Sequence, residues 1–209
     1  MSIFNFKIKA KKRYELGELI GRGGRGDFYR IKNERILGVK IHNNRTIKNI
    51  TVNQEIEEFK KEIQIANLLI RKKIPVPKYI GITNIYDSNE NKIKKGLILE
   101  IISDETHIYV YFNEQKLDFN SKHFKSHEIL LEINFNGFYF TDDDSNFESD
   151  LVTVYRDSVC NTLNLIIQNM EISKDKLVRK LKNIDLQGLY SSKTDTFYLI
   201  DFESWDDFP

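Results

Sequence analysis

Two short segments read IDLQGLY at residues 184–190 and FYLIDFE at residues 197–203. Each has the apolar run of a strand, and the polar turn Lys193-Thr194-Asp195 joins them. A hairpin brings its two ends together, so Asp185 and Asp201 are expected to converge on one site. Two carboxylates can then serve as the base for a hydroxyl proton and as a ligand for a hard cation. The alternative is that both are ordinary turn residues, which aspartates at strand ends commonly are.

A glycine-rich segment lies far upstream of this hairpin. A strand pattern at residues 14–20 runs into GRGGRGDF at residues 21–28. The residues after the third glycine alternate like a returning strand, whereas a dinucleotide-binding unit would begin a helix there. A strand–turn–strand flap rich in glycine can lie close over phosphate groups. The next strand pattern, at residues 36–41, contains Lys40, which needs an anionic partner or a route to water.

The clearest helical pattern covers residues 53–71, where apolar side chains recur at helical spacing. Glu62 lies beside this apolar stripe, so it can face either the interior or the solvent. The sequence IPVP at residues 74–77 ends the helix. Residues 79–82 and 96–102 then predict two more strands. The first half of the chain is therefore expected to form three strands, a helix and two strands.

Strand patterns also fill the middle of the chain. Residues 106–112 alternate between apolar and polar side chains, and residues 129–140 predict a hairpin around the turn Asn136-Gly137. This sheet either covers apolar surface or offers a docking face to a protein partner. The first interpretation is favoured because proteins normally suppress exposed strand edges. A long helix beginning at residue 147 or 149 follows, and then a short one at residues 175–181.

The composition sets broad limits on function. The 209 residues include 32 Lys and Arg against 31 Asp and Glu, so the net charge does not favour nucleic acid or membranes. No apolar run has membrane-spanning length, and the first residues lack the apolar core of a signal peptide. The single cysteine, Cys160, excludes an internal disulfide and suits a reducing compartment. A structural role for it on a helix is favoured over a nucleophilic one.

Two polar clusters have the residue types of metal sites without the full pattern. His123 and His127 are four residues apart and would share one face of a helix, but further zinc ligands are missing nearby. The run Asp142-Asp143-Asp144 lacks the spaced ligands and the central glycine of a calcium loop. Neither cluster is expected to bind a metal.

Taken in order, these motifs resemble those of the protein-kinase superfamily. The matching positions are Gly21, Gly23 and Gly26 for the glycine-rich loop, Lys40 for the phosphate-binding lysine, Glu62 for the helix glutamate that pairs with it, Leu99-Glu100-Ile101 for the gatekeeper and hinge, Asp185 for the catalytic aspartate, and Asp201-Phe202-Glu203 for the metal site. Each match is weak alone, but six matches in the family's order are a strong signal together. The resemblance implies that ATP and Mg²⁺ are the ligands.

The catalytic segment departs from the family pattern. Asn183-Ile184 replaces the His-Arg pair that normally precedes the catalytic aspartate. The usual metal-binding asparagine would fall on Tyr190, which cannot bind a cation in that way. The segment between the two aspartates is roughly two residues shorter than in the family, however, so Gln187 or Gly188 takes the asparagine's position. Gln187 has the amide oxygen that the role requires.

The resemblance implies an α+β, compact bilobal protein-kinase-like fold. Residues 1–102 would form an N-lobe with an antiparallel sheet and one helix, and residues 103–209 a strongly reduced C-lobe with the inserted hairpin. Eight residues follow Asp201 in this sequence, so no activation loop is expected, an arrangement similar to the minimal effector kinases of bacterial pathogens. The Asp-Leu-Gln segment is similar to that of the HopBF-type family in particular.

That narrower resemblance implies a kinase that phosphorylates a host protein, with a heat-shock chaperone as the candidate substrate. The protein would be a cytoplasmic monomer or one secreted into the host cytosol, with no nucleic-acid or membrane partner. Two other functions remain open. A catalytically inactive pseudokinase would act as a protein-binding module, and the altered residues before Asp185 favour it. A small-molecule phosphotransferase usually needs a larger helical lobe to enclose its acceptor.

Overall fold

The computed structural model describes residues 14–23, 26–43, 50–103, 105–112, 126–134, 137–140, 150–173, 176–177, 179, 186–202 and 205. Within these residues the chain is a mixed α+β protein with strands β1 to β10 and helices α1 and α2. Its contacts divide it into two compact units. The first comprises Met1–Ala66 and Pro77–Ile101, and the second Asn67–Val76 and Ile102–Pro209.

The first unit contains five strands that close into a barrel. They are β1 (Tyr14–Arg22), β2 (Gly26–Ile31), β3 (Leu37–His42), β4 (Tyr79–Asp87) and β5 (Lys92–Glu100). The order around the barrel is β1-β2-β3-β5-β4. Neighbouring strands are antiparallel, as the sequence predicted, except that β1 and β4 pair in parallel and close the sheet.

The barrel interior fixes the direction of the side chains on β3. Val39 is 0% exposed and Ile41 3% exposed, and both belong to the core cluster inside the barrel. Because side chains on a strand alternate between its two faces, Lys40 points out of the barrel. The same core excludes water from Ile85 and Ile98 on β4 and β5. The lysine in this apolar strand is therefore directed away from the core.

Helix α1 spans Val52–Arg71, close to the predicted 53–71. The Thr51 hydroxyl accepts a hydrogen bond from the Gln54 N–H, and the Gln54 side chain accepts one from the Thr51 N–H, which is a capping box. At the other end, the N–H groups of Lys73 and Ile74 bond to carbonyls of the last turns. Lys73 has a φ of 59°, so a left-handed residue ends the helix before the prolines.

The turn between β4 and β5 is held by a half-buried ion pair. Lys94 Nζ lies 2.7 Å from Asp87 Oδ2, and the N–H groups of Asn89 and Glu90 donate to the other oxygen of Asp87. Burial alone would raise the pKa of Asp87, but the hydrogen bond and charge of Lys94 outweigh it and lower the pKa below its ordinary value. The charged form of Asp87 is thus the one that the fold stabilises.

Asp87→Asn is expected to lower the free energy of unfolding at pH 7 by about 1–3 kcal/mol, because it removes a charge-assisted bond from a buried group. A carboxylate with a lowered pKa stabilises the fold above the ordinary aspartate pKa of about 4, and this contribution is lost as the pH falls through the lower folded value. The difference from wild type should therefore shrink below about pH 4. Urea unfolding at several pH values measures it, and a difference that stays constant down to pH 2 would contradict the account.

The second unit contains a five-stranded sheet and helix α2. Its elements are β6 (Glu105–Phe112), β7 (Ser126–Asn134), β8 (Gly137–Phe140), α2 (Asp150–Met170), β9 (Leu186–Ser191) and β10 (Thr196–Ile200). The strand order is β10-β9-β6-β7-β8. The predicted hairpin of residues 129–140 forms β7 and β8, but β6 pairs in parallel with β7 and antiparallel with β9. The inserted strands are therefore part of one sheet with the hairpin of the candidate site.

Helix α2 packs on the face of this sheet that carries Gly188. A Cβ on Gly188 would lie 2.1 Å from the Phe197 ring, so a side chain there would displace a fully buried aromatic residue. The Thr162 hydroxyl on α2 donates to the Phe197 carbonyl at 3.0 Å. Tyr155 on α2 also contacts Tyr190 edge to face, with ring centroids 4.9 Å apart. These contacts fix the β9–β10 hairpin on the helix.

The segment after α1 explains why the contacts group Asn67–Val76 with the second unit. The Leu199 N–H on β10 donates to the Pro75 carbonyl at 3.0 Å, and the Asn169 side chain donates to the Lys72 carbonyl at 2.8 Å. The predicted lobes, residues 1–102 and 103–209, stay a prediction. Pro75 thus covers part of the edge of β10.

Three sequence predictions lie partly or wholly outside the described residues. His127 lies on strand β7, so the helical spacing expected for His123 and His127 does not apply, and His123 lies outside the described residues. The run Asp142-Asp143-Asp144 also lies outside the described residues. Of the short helix at residues 175–181, only residues 176, 177 and 179 are described, and all three are helical. Neither described helix has the length and apolar character for crossing a membrane.

Candidate functional site

Lys40, Glu62 and Tyr79 meet in the first unit. Lys40 Nζ on β3 lies 3.1 Å from Glu62 Oε2 on α1. The Tyr79 hydroxyl on β4 donates to Glu62 Oε1 at 2.9 Å. The Glu62 side chain is 3% exposed and that of Lys40 is 15% exposed. The structure thus brings together the two residues that the sequence predicted as a pair, and both oxygens of the carboxylate have a partner.

A buried ion pair of this kind contributes little to stability on balance. Removing two charges from water costs several kcal/mol per ion, and apolar residues of the same volume are often as stable. Removing only one partner is unfavourable by about 3–5 kcal/mol, because the other charge stays buried. Buried charges held at a defined position are typical of functional sites. The Lys40–Glu62 pair holds one positive charge at a defined position in the first unit.

The glycine-rich segment forms the expected strand–turn–strand hairpin beside Lys40. Arg22 pairs with Asp27 at its end. A Cβ on Gly26 would lie 3.1 Å from Lys40 Cε, so the missing side chain leaves room for the lysine. A Cβ on Gly21 would meet no described atom within 4 Å. Packing among the described residues therefore does not account for the glycine at position 21.

Asn43 tethers this hairpin and was not identified from the sequence. Its Nδ2 donates to the Gly23 carbonyl and to the Asp27 carboxylate, both at 3.1 Å. Gly23 N–H donates to the Gly26 carbonyl at 2.8 Å, which closes the turn. One amide thus holds both sides of the glycine turn from the end of β3.

The two residues predicted as the nucleotide hinge use their backbone N–H groups within the first unit. Glu100 N–H donates to the Lys78 carbonyl and Ile101 N–H to the Ile36 carbonyl, both at 2.9 Å. The Glu100 carboxylate in turn accepts from the Lys78 N–H at 3.2 Å. A base that binds here would use the carbonyl oxygens of these residues, because their N–H groups already have acceptors.

Asp201 and Gln187 lie near each other at the open end of the β9–β10 hairpin. Gln187 pairs with Ile200, the residue before Asp201. Asp201 has a φ of 60°, a conformation that is uncommon outside glycine and often marks functional positions. The next residue, Phe202, is fully buried and contacts Trp205 edge to face. Asp185 lies outside the described residues, so its expected convergence with Asp201 stays a prediction.

These side chains fit a hard cation in chemical type. Mg²⁺ binds carboxylate and amide oxygens, and both Asp201 and Gln187 are partly exposed. Among the described residues, no three His, Cys, Asp or Glu side chains form a metal-binding group. Mg²⁺ commonly completes its shell with water and substrate phosphates, so two protein oxygens are sufficient for it.

Cys160 on α2 has the properties of a structural residue. Burial raises the pKa of its thiol to about 11, and the carboxylate of Asp157 adds to the shift. The thiol is therefore protonated at neutral pH and is a poor nucleophile. This agrees with the role that the sequence favoured for it.

No protein-family model matches this chain, and no characterised protein matches it in sequence. The resemblance to protein kinases therefore depends on the individual residues and on their order along the chain.

Proposed function

We propose that this protein is a minimal protein kinase with a protein-kinase-like bilobal fold. It would transfer the γ-phosphoryl group of ATP to a serine, threonine or tyrosine hydroxyl of a host protein, as a secreted bacterial effector. The observation that carries the proposal is the buried Lys40–Glu62 ion pair next to a glycine hairpin. A chaperone as the substrate follows only from the HopBF-type resemblance.

The first unit would bind the nucleotide. Gly21, Gly23 and Gly26 would cover its phosphates, because a backbone without side chains can approach them closely. Lys40 would hold the α- and β-phosphates, and Glu62 would keep the lysine in place. Catalysis of phosphoryl transfer is mostly positioning and charge neutralisation, so this small set of groups is adequate.

The second unit would supply the groups for transfer. Asp201 and Gln187 would hold Mg²⁺, which neutralises charge on the phosphates. Asp185 would accept the proton of the acceptor hydroxyl while the oxygen of that hydroxyl forms a bond to the γ-phosphorus. The bond from that phosphorus to the bridging oxygen breaks, and ADP leaves. Gln187 would take the place of the family's asparagine, because its side chain has the amide oxygen that the role needs.

A pseudokinase that binds a protein partner is the second candidate. The observation that favours it is the internal use of the N–H groups of Glu100 and Ile101, which removes two donors that a purine could use. The residues Asn183-Ile184 in place of His-Arg point the same way. The retention of Lys40, Glu62 and Asp201 favours an active enzyme instead.

Incubation of the purified protein with γ-labelled ATP, Mg²⁺ and eukaryotic cytosolic extract tests the proposal. Label is expected on an extract protein only when the purified protein is present, and chelation of Mg²⁺ should abolish it. An extract without the protein and one with heat-denatured protein are the controls. Labelling no stronger than in these controls would favour the pseudokinase.

A further inference from the structure

Tyr79 faces α1 because β4 contains a bulge. The register of β4 against β5 shifts between Tyr79 and Gly81, so Ile80 is an extra residue on β4. Ile80 packs against the barrel core, whereas the side chain of Tyr79 reaches Glu62. Gly81 has a φ of 147°, which a residue with a side chain rarely adopts. Bulges of this kind re-aim side chains, and here the phenol is aimed at the ion pair.

We infer that Tyr79 is a positioning residue, which holds Glu62, and through it Lys40, in the arrangement that binds phosphate before any nucleotide arrives. The carboxylate of Glu62 has two oxygens with separate tasks: Oε1 accepts from the Tyr79 hydroxyl and Oε2 lies against Lys40. Without the phenol, the carboxylate can rotate about its last bond and leave the lysine. Three elements, β3, α1 and β4, would then lose their common anchor.

The consequence for nucleotide binding rests on the proposed function, whereas the anchoring of Lys40 does not. Preorganised groups bind ligands more tightly because the ordering cost is met before binding. An ion pair that is already assembled therefore favours phosphate binding without a prior rearrangement of α1. The Tyr79 hydroxyl is therefore expected to affect nucleotide affinity through Glu62, which it contacts, and not through a contact with the nucleotide.

Tyr79→Phe tests the inference, with Tyr190→Phe as a matched control. Both tyrosines are buried, at 7% and 5% exposure, and both donate to a carboxylate, at 2.9 Å to Glu62 and 2.7 Å to Asp195. Each variant keeps the ring and its packing, so both are expected to fold. Tyr79→Phe should lose more stability, because its acceptor Glu62 is buried whereas Asp195 is exposed. Only the first removes a bond to the Lys40–Glu62 pair.

Two readouts separate positioning from a general loss of stability. Acetic anhydride labels neutral and accessible amines, so the labelling rate of Lys40, measured by mass spectrometry, reports on its pairing with Glu62. Tyr79→Phe should raise that rate about fivefold and raise the Kd of Mg-ATP about fivefold, which corresponds to the net contribution of one typical hydrogen bond. Tyr190→Phe should change neither value.

Equal labelling of Lys40 in the two variants would overturn the inference, whatever the nucleotide does. If Tyr79→Phe raises the labelling and wild type does not bind Mg-ATP, the anchoring of Lys40 by Tyr79 stands and the proposed function fails. If wild type and Tyr79→Phe bind Mg-ATP with the same Kd, the Tyr79 hydroxyl does not prepare Lys40 for nucleotide binding. The part of the inference that concerns nucleotide affinity is then wrong.

Discussion

Asp185→Ala is expected to lower the rate of phosphoryl transfer by about 10²–10⁴-fold, the usual contribution of a general base. The Kd of Mg-ATP should stay close to the wild-type value, because Asp185 is expected to contact the acceptor hydroxyl and not the nucleotide. Single-turnover transfer and equilibrium titration measure the two quantities separately. A large fall in transfer with unchanged affinity would assign the base role to this residue.

Gln187→Ala, compared with Asp185→Ala, tests the predicted metal-ligand role of Gln187. It should weaken the Mg²⁺-dependent step and raise the Mg²⁺ concentration needed for half-maximal rate, because its amide oxygen would be a metal ligand. Asp195→Asn is the control, since Asp195 lies in the turn of the same hairpin and accepts from Tyr190. Wild-type transfer in both Asp185→Ala and Gln187→Ala would remove Asp185 from the mechanism.

The double variant Lys40→Met/Glu62→Gln is expected to weaken Mg-ATP binding by about 10- to 100-fold. Charge-assisted hydrogen bonds contribute about 1.5–3 kcal/mol, and at least one from Lys40 to the phosphates would be lost. Both substitutions keep the side-chain volume and remove both charges, so no unpaired buried charge remains. A thermal melt establishes that the variant is folded before affinity is compared.

The matched control is Lys94→Met/Asp87→Asn. It removes a similar half-buried ion pair from the same unit, at the β4–β5 turn. This variant should lose stability and keep the wild-type affinity for Mg-ATP. Equal affinities in the two double variants would show that Lys40 and Glu62 have a structural role alone.

Local patterns were sufficient to predict most elements. The helical spacing of apolar residues predicted 53–71, and α1 spans Val52–Arg71. The strand pattern after the third glycine correctly indicated β2 instead of a helix. The dipeptide Asn136-Gly137 predicted the β7–β8 hairpin, although Gly137 is the first residue of β8 and pairs with Asn134. Such signals lie within a few residues of each other, so a single sequence reveals them.

Pairing between distant strands was not predictable in the same way. The parallel pair of β1 and β4 closes the barrel, and the parallel pair of β6 and β7 joins the inserted hairpin to the sheet. Apolar alternation identifies a strand and its buried face, but not its neighbour. The neighbour depends on long-range contacts across the unit, which no local pattern encodes.

In the candidate site, too, some features were predictable from the sequence and others were not. The resemblance to protein kinases implied that Lys40 in an apolar strand pairs with Glu62 on the next helix, and the structure places Lys40 Nζ 3.1 Å from Glu62 Oε2. Tyr79 was missed because a one-residue bulge at Ile80 decides which way its side chain points. The burial of Glu62 was left open as well, since a residue beside an apolar stripe can face either way.

Titration of Mg-ATP into wild type and Asp201→Asn, with thermal unfolding as the readout, tests the central claim most directly. Asparagine tolerates the left-handed backbone of position 201, so the variant should keep its fold. A ligand that binds the folded state stabilises it as its concentration exceeds Kd. Wild type should be stabilised by millimolar ATP with Mg²⁺ and less without it, and Asp201→Asn should lose that dependence on Mg²⁺. No stabilisation of wild type at millimolar Mg-ATP would contradict the assignment of Lys40 and Asp201 to a nucleotide site.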